Sequence, residues 1–425
     1  MTETQLVKYV SHLAIFLQNC WNGFGANPIK LIVLIAFGLA SNISLSADDI
    51  ATKSSWSALV KAISPYASVK YQHDSNLFRL PDEIPPADGR SDQYSTITGG
   101  IDSAFKYSQQ ELVLKGYMYR NSYNTYDYLD YTGGNGLAQW NWSGGKKLDG
   151  TLGYKYDRRM RGFENQIIPN PLKNLKTEKT VFASMDFKLL RNWVLNLRGS
   201  LAEIDFTTSE LLNLDRNAAG GSIDYVSRSG NQFGFDIEIT SGSYNNDSLK
   251  NYNKLEIGPT FDWKMTEKTK LRGQLGYSRR ENDDINRIDY DGFTADVTLV
   301  RKGAKGDKLT AKAWRKLSNL NDEIANFAIV QGVSIEPRWQ LSSKIAFGFK
   351  MGYEYRDFQG AGLIPPPPGV GSRDDNVYTG NISVDWKLNN IFDLSLGLDA
   401  EKRSSNREFR DYDDRIVYAQ FSAEF

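Results

Sequence analysis

Residues 255–265 read Leu-Glu-Ile-Gly-Pro-Thr-Phe-Asp-Trp-Lys-Met, so every second position is apolar and the positions between are polar or glycine. Successive side chains of a β-strand point to opposite faces, so this segment as a strand has one apolar and one polar face. The same alternation recurs in residues 345–356 and 381–388. This period of two predicts an all-β protein whose strands each bury one face only.

Strand length and the residues on the apolar face indicate which environment covers that face. Strands of soluble sandwiches usually run about five or six residues, whereas a tilted strand needs roughly nine to eleven to cross a bilayer. The alternation in residues 255–265 is of the longer kind. The apolar face is also rich in Phe, Trp and Tyr near the strand ends, as in the aromatic girdles of membrane barrels. We therefore predict a transmembrane β-barrel rather than a soluble sandwich.

Short and long polar connections alternate along the whole chain. The short ones are residues 108–110, 143–146, 190–192, 228–231, 266–268, 302–306, 341–343 and 388–390. The long ones are residues 73–92, 122–133, 159–176, 207–216, 241–251, 280–287, 318–324, 358–375 and 403–412. Bacterial outer-membrane barrels have tight periplasmic turns and longer extracellular loops. The alternation predicts an antiparallel up-and-down barrel of about 18 strands with both termini on the periplasmic side.

Two prolines interrupt this pattern. Pro259 and Pro337 lie inside predicted strands, where each removes a ladder hydrogen bond that lipid cannot replace. They predict a β-bulge or an error in our strand register.

Both ends of the chain carry features that predict targeting to the outer membrane. An apolar run at residues 31–40 follows Lys30, precedes small residues at 41–47, and is too short to span a bilayer. We predict a signal peptide at residues 1–46 with an unusually long N-region, a short periplasmic segment at 47–61 and the barrel at 62–425. A membrane anchor or a buried helix is the alternative for the apolar run.

The last strand ends in an alternating segment that stops on an aromatic residue, Phe425. It is similar to the terminal strand by which the barrel assembly machinery recognises its substrates, with Phe421 and Phe425 as the signal. The alternative is an ordinary strand that ends in Phe by chance. Together with the export signal, this strand predicts location in the Gram-negative outer membrane.

Composition excludes several classes of function. The chain has 51 basic and 51 acidic residues, so no net charge attracts nucleic acid. It has two histidines and one cysteine, and cleavage after residue 46 leaves only His73. Such a chain has neither the ligands of a zinc finger nor a disulfide framework, and a Ser–His–Asp relay at His73 is disfavoured because sequence neighbours on a strand face opposite ways. We expect no enzyme, cofactor or metal.

The inward face of the barrel is expected to contact whatever passes through it. Eighteen strands enclose an aqueous channel rather than a packed interior. The inward positions carry both signs of charge together with aromatic rings, on which sugar rings can stack. The candidate lumen and carbohydrate contacts are Tyr66, Lys70, Tyr117, Tyr119, Arg198, Arg272, Trp314, Lys350 and Tyr418. Alternatively, the charges pair across strands and only stiffen a hydrated wall.

Residues 71–81 read Tyr-Gln-His-Asp-Ser-Asn-Leu-Phe-Arg-Leu-Pro. This segment resembles the opening of exopolysaccharide-operon outer-membrane proteins (the EpsL-like β-barrel porin group), in which Asp-x-Asn-Leu-Phe-Arg follows the first strand. The matching residues are Asp74, Asn76, Leu77, Phe78 and Arg79. The resemblance implies export of an exopolysaccharide across the outer membrane and supplies no catalytic residues. From the residues themselves, the motif is either a conformational lock at the barrel rim or a ligand contact.

The leading prediction is passage of an exopolysaccharide through the lumen. The expected partners are outer-membrane lipid, the polysaccharide, the barrel assembly machinery and a periplasmic and inner-membrane export machinery that supplies the energy. A structural scaffold of polysaccharide assembly and a general diffusion porin are the alternatives. The loop at residues 73–92 and the proline-rich loop at Pro365–Pro368 are candidate constrictions.

Overall fold

The structure is a computed structural model that describes residues 63–84, 86, 88–165, 172–246, 248–283, 289–319, 325–360 and 372–425. The predicted signal peptide, the segment at 47–61 and the loop at Pro365–Pro368 lie outside the described residues and stay predictions. None of the helical segments in the described ranges is long and apolar enough to cross a bilayer.

The described residues fold almost entirely into extended chain. The eighteen strands are β1 (Ile63–Asp74), β2 (Asp92–Tyr107), β3 (Gln110–Tyr123), β4 (Tyr131–Gly144), β5 (Leu148–Met160), β6 (Leu175–Leu190), β7 (Trp193–Phe206), β8 (Leu214–Val226), β9 (Gln232–Tyr244), β10 (Tyr252–Lys264), β11 (Thr269–Asn282), β12 (Tyr290–Lys302), β13 (Lys308–Ser318), β14 (Phe327–Gln340), β15 (Ile345–Gln359), β16 (Arg373–Lys387), β17 (Phe392–Ser405) and β18 (Tyr412–Glu424). Single 3₁₀ turns lie at Asp127–Leu129, Glu210–Leu212, Ser248–Lys250 and Ala304–Gly306. The strands range from 11 residues in β13 to 16 residues in β2, so each is long enough to cross a bilayer at a tilt.

The strands form one closed sheet. Each strand pairs antiparallel with its neighbours in the chain, and β1 also pairs with β18, from Tyr66 opposite Glu424 to Asp74 opposite Ile416. The amide of Phe425 extends this seam by donating to the carbonyl of Pro65 at 3.0 Å. Closure leaves no sheet edge, so the ladder satisfies the backbone groups that lipid could not. The predicted up-and-down barrel of 18 strands is confirmed.

Short and long connections lie at opposite ends of the barrel. We call these the turn end and the loop end. β1 begins and β18 finishes at the turn end, as predicted. Three long loops matter below: L1 (75–91), L2 (124–130) and L3 (161–174), of which the described parts are discussed.

Large apolar side chains cover the outside of the barrel. Val69 of β1 lies opposite both Ile97 of β2 and Phe421 of β18, and all three side chains are exposed. The same holds for Phe235, Ile237 and Ile239 of β9 at alternating positions. A band of exposed apolar side chains around the whole wall is what a lipid-facing surface requires.

The two strand prolines do not shift the register. Residues 258 and 259 have no partners in β11, yet Ile257 pairs with Tyr277 and Thr260 with Gln274 in one continuous register. Pro337 likewise keeps its pairing to Leu309 of β13 while the ladder to β15 is interrupted. Our prediction of a bulge or register error at these positions is therefore wrong. Each proline removes a bond on one side only, because the N–H that it lacks points to one neighbouring strand.

The inward face is not polar along its whole length, which corrects a second expectation. Near the loop end, Ile204 and Phe206 of β7 pack with Leu214 of β8 in a buried cluster, and Val330 packs with Phe358 in another. Ile204, Leu214, Phe327 and Phe358 line one cavity of about 100 Å³. Because β7 and β8 are not neighbours of β14 and β15, these apolar side chains narrow the lumen at this level.

Candidate functional site

The lumen is the candidate site, and the register places the predicted contact residues on its wall. Tyr66 and Lys70 of β1 lie on the same face as Tyr117 and Tyr119 of β3 and Tyr418 of β18. We call these five residues the aromatic wall. Tyr66 and Tyr117 meet edge to face with ring centroids 5.7 Å apart, and the Lys70 ammonium lies 4.2 Å from the centroid of Tyr418.

Glycines explain how the rings of the aromatic wall lie. Tyr117 pairs with Gly100, Tyr119 with Gly133 and Tyr418 with Gly397, and a side chain at any of these glycines would collide with the ring. The rings therefore cover the backbone of the neighbouring strand, as aromatic residues do when they shield strand glycines. This packing stabilises the wall and at the same time turns ring surface toward the lumen.

Polar groups lie beside these rings. The Gln420 amide donates to the Tyr66 hydroxyl at 3.3 Å, and Asp102 forms an ion pair with Lys115 at 3.6 Å. Aromatic surface flanked by hydrogen-bonding groups can hold a sugar ring by its C–H face and its hydroxyls.

The other predicted contacts lie elsewhere on the wall. Trp314 of β13 donates from its indole nitrogen to Glu354 of β15 at 3.2 Å, and Lys350 is on the same face of β15. Arg198 of β7 is fixed between Asp236 at 2.6 Å and Glu238 at 3.0 Å. Arg272 of β11 faces inward opposite Asp262. The structure thus does not bring these four residues together with the aromatic wall.

Many inward charges pair across strands. Inward ion pairs join Lys188 to Asp149, Lys270 to Asp262 and Arg338 to Asp385, each at 2.7 Å. Such solvated pairs contribute roughly 0–1 kcal/mol each to stability, and because each base lies beside an acid they do not favour one sign of ion. This agrees with the alternative in which the charges stiffen a hydrated lumen.

The motif after the first strand forms a polar lock at the loop end. The Asn76 side chain donates to the carbonyls of Leu80 at 2.8 Å and Asp413 at 3.1 Å, and it accepts from the amide of Leu80 at 3.1 Å. Arg79, at a φ of 56°, forms ion pairs with Asp74 at 3.0 Å and with Asp414 of β18 at 2.9 Å. Burial opposes the charge of Arg79, yet the two carboxylates outweigh it and raise the pKa of Arg79 above its usual value.

The apolar residues of the same motif anchor L1 in a buried cluster. Phe78 meets Tyr126 of L2 at 4.7 Å and Phe163 of L3 at 5.2 Å, and Leu77 and Leu129 join the same cluster. L1, L2 and L3 are thereby tied together inside the loop end. These contacts are the arrangement that a conformational lock at the rim requires, and that role of the motif stays a prediction.

A second buried group at the loop end was missed from the sequence. Arg403 of β17 is 2% exposed and donates to the carbonyls of Arg410 at 2.6 Å and Glu164 of L3 at 2.5 Å. Arg373 of β16 binds the carboxylate of Asp375 with two nitrogens. Arg403 thereby holds L3 to β17, and the Arg373 guanidinium donates to the Asn165 side chain of L3 at 3.4 Å. Glu164 lies far from Arg403 in the chain, so no local pattern indicated this contact.

The C-terminal residues that we predicted as an assembly signal lie on the outer side of β18. Phe421 stacks on Phe392 of β17 with ring centroids 5.4 Å apart, and Phe425 is exposed. Their role in assembly stays a prediction.

His73 faces the outside of β1 and is exposed, whereas Asp74 faces inward and is buried. Within the described part of the chain, no three His, Cys, Asp or Glu residues lie close enough together to hold a metal ion.

A closed 18-strand barrel with an apolar outside and a hydrated, charged inside defines a porin-like channel of the Gram-negative outer membrane. Residues 214–425, just under half of the chain, match the family described as "Putative beta-barrel porin 2". No curated protein shows significant sequence similarity to the chain.

Among solved structures, the chain is similar to Pseudomonas aeruginosa OccK3 (OpdO), with 12% identity, 87% of this chain and 98% of that chain covered, and a TM-score of 0.49. It is similar to Acinetobacter baumannii OccAB3 at 7% identity, with 86% and 100% covered and a TM-score of 0.49. A BenF-like porin from Pseudomonas fluorescens Pf-5 has 8% identity, 86% and 98% coverage and a TM-score of 0.48.

Proposed function

We propose that this porin-like channel exports an exopolysaccharide, and that the passing sugar residues contact the aromatic wall. The observation that carries the proposal is the row of inward tyrosines lying over glycines, with Lys70 and Gln420 beside them. Such a surface binds each sugar residue weakly and at several similar points. A polymer can therefore move along it from one contact to the next. The resemblance of residues 71–81 to exopolysaccharide-operon proteins supports the same cargo.

The loop end sets a condition on this transport. Phe78, Tyr126 and Phe163 tie L1, L2 and L3 together there, and apolar side chains of β7 and β15 line a common cavity. We propose that L1 acts as the constriction and is displaced when polymer arrives. The energy would come from export machinery in the periplasm and inner membrane, and the barrel itself would perform no catalysis.

Current through single channels in planar bilayers tests the cargo. Added fragments of the cognate polysaccharide should interrupt the current through the wild-type channel. Tyr117→Ala removes one ring of the aromatic wall, and we expect fragment affinity to fall about fivefold, from a loss of roughly 1 kcal/mol of ring contact. Tyr378→Ala, which removes an exposed tyrosine from the outside of β16, is the matched control and should change nothing.

Two outcomes would favour the alternatives. An open current that polysaccharide does not interrupt indicates a general diffusion porin, which the cross-strand ion pairs of the lumen also allow. A folded barrel without current indicates a scaffold. A deletion strain that releases normal amounts of polymer would contradict export.

A further inference from the structure

A depression in the outer wall lies on strands β2 to β5. It measures about 570 Å³, and most of its lining is apolar. Across the four strands, one row of outward positions reads Ile101, Gly116, Gly136 and Tyr156. Two glycines thus form a floor between two large side chains.

The next outward row, one pair closer to the loop end, reads Gly99, Met118, Gly134 and Arg158. Met118 is 69% exposed and rises between two glycines. We call the depression formed by these two rows the outer groove. It extends from the middle of the strands toward the loop end, where Arg158 lies two residues before the end of β5.

The backbone does not require most of these glycines. A Cβ at Gly99 or Gly116 would meet nothing within 4 Å, and one at Gly136 would make only ordinary contacts at 3.8 and 4.0 Å. Gly134 differs, because its Cβ would lie 2.7 Å from the Tyr117 carbonyl oxygen. Glycine weakens a strand interior. Because the backbone does not require glycine at positions 99, 116 and 136, the feature that these three glycines provide is the open space of the groove.

The position of the outer groove in the membrane limits what can fill it. The wall around it faces hydrocarbon, where neither water nor a polar ligand is stable. Its volume lies within the range of small-molecule sites, about 300–1,000 Å³. A lipid acyl chain matches an elongated apolar recess that runs down from the loop-end rim.

Arg158 identifies the kind of lipid. It lines the groove, and its Nε is buried without a hydrogen-bond partner. Two other outward arginines near the loop end have acidic partners: Arg120 pairs with Asp130 at 3.3 Å and Arg279 with Glu281 at 2.6 Å. No carboxylate among the described residues pairs with Arg158. A guanidinium that faces lipid is costly unless an anion pairs with it.

We propose that the outer groove binds lipopolysaccharide, the phosphate-bearing lipid of the outer leaflet, with an acyl chain over Gly116 and Gly136 and a phosphate at Arg158. The loop end faces the outer leaflet. The lipid headgroup therefore lies at the level of Arg158, and the acyl chain extends from there over Gly116 and Gly136. The proposal is independent of what passes through the lumen.

Native mass spectrometry of the delipidated full-length protein tests the site, with lipopolysaccharide or phosphatidylglycerol added in separate titrations. Gly116→Leu fills the floor of the groove, and Arg158→Gln removes its cation. We expect lipopolysaccharide to bind each variant about fivefold more weakly than it binds the wild type, the effect of roughly 1 kcal/mol. Phosphatidylglycerol should bind the wild type more weakly than lipopolysaccharide does.

Two control variants match these changes. Gly380→Leu also adds a side chain to open space on the outer wall, and Arg279→Gln also removes an outward arginine; both should bind as the wild type does. Heat-modifiable migration on gels verifies that each variant is folded. Unchanged binding in Arg158→Gln, equal losses in the controls or equal binding of phosphatidylglycerol would overturn the proposal. So would a wild-type dimer that Gly116→Leu dissociates without affecting lipid binding.

Discussion

Asn76 illustrates how one side chain can determine the course of a loop. Its amide nitrogen and oxygen together satisfy three backbone groups, two of them in Leu80 and one in Asp413 across the β1–β18 seam. The backbone N–H of Asn76 donates to the Asp74 carboxylate at 2.9 Å. The sequence predicted a long loop at residues 73–92, but the contact of Asn76 with Asp413 depends on closure of the barrel.

Asn76→Ala should therefore destabilise the barrel. The change leaves buried backbone groups without partners, at a cost of about 1–3 kcal/mol in the free energy of unfolding. Urea unfolding of the refolded protein in lipid vesicles, followed by tryptophan fluorescence, measures this cost.

The control for Asn76 is Asn124→Ala, because the Asn124 side chain in L2 is exposed. We expect that variant to stay within about 0.5 kcal/mol of the wild type. Equal unfolding curves for both variants would show that the polar lock contributes no stability.

Among the strands, β14 shows the cost of a proline within a ladder. Pro337 keeps its pairing with β13, but residues 336 and 337 have no partners in β15, although Ile335 pairs with Met351 and Arg338 with Gly348 on either side. The register opposes Pro337 to Phe349. The missing N–H faces β15, so one acceptor of β15 receives no hydrogen bond from this residue.

Pro337→Val should restore this bond, because valine supplies an N–H and suits an outward strand position. We expect the free energy of unfolding to rise by about 1 kcal/mol, the net value of one hydrogen bond. The measurement is the same urea titration in vesicles.

Ile335→Val is the matched control on the same face of β14. It changes side-chain size without changing a hydrogen bond, and it should not stabilise the protein. A Pro337→Val variant no more stable than the wild type would mean that β15 finds another donor at this position.

At the scale of the whole molecule, contacts at the loop end connect parts of the wall that are not adjacent. Arg403 of β17 holds the carbonyl of Glu164 in L3, and Phe163 of L3 packs on Phe78 of L1. Loops from the β1–β2 and β5–β6 connections are thus held to the strands near the end of the chain. Such contacts can set the width of the channel without any side chain of the aromatic wall.

Arg403→Ala should widen the loop end. Without this guanidinium, the segment Gly162–Asn165 loses its hold on β17, and we expect a higher single-channel conductance with more frequent transitions between levels. Loss of buried charged hydrogen bonds should also lower the free energy of unfolding by about 2–3 kcal/mol.

Arg301→Ala is the control for conductance, because Arg301 is exposed on the outside of β12 near the turn end. It should conduct as the wild type does. An Arg403→Ala channel that folds but conducts like the wild type would show that L3 does not limit the current.

The sequence alone determined the strand number, the alternation of turns and loops and the faces of the strands, because each of these depends on spacing within a few residues. Residues 255–265 show their two faces without reference to any other part of the chain. The inward positions of Tyr66, Tyr117 and Tyr418 follow from the same rule.

Only the tertiary structure decided which charges pair, how the loop end is filled and where the outer wall is hollow. Arg403 with Glu164, Asn76 with Asp413 and Gly116 beside Gly136 become neighbours only when the register is set and the barrel closes. The apolar residues Ile204 and Phe358 were hidden from sequence reasoning for the same reason. Their inward positions predicted water, and they are buried because distant strands and loops meet there.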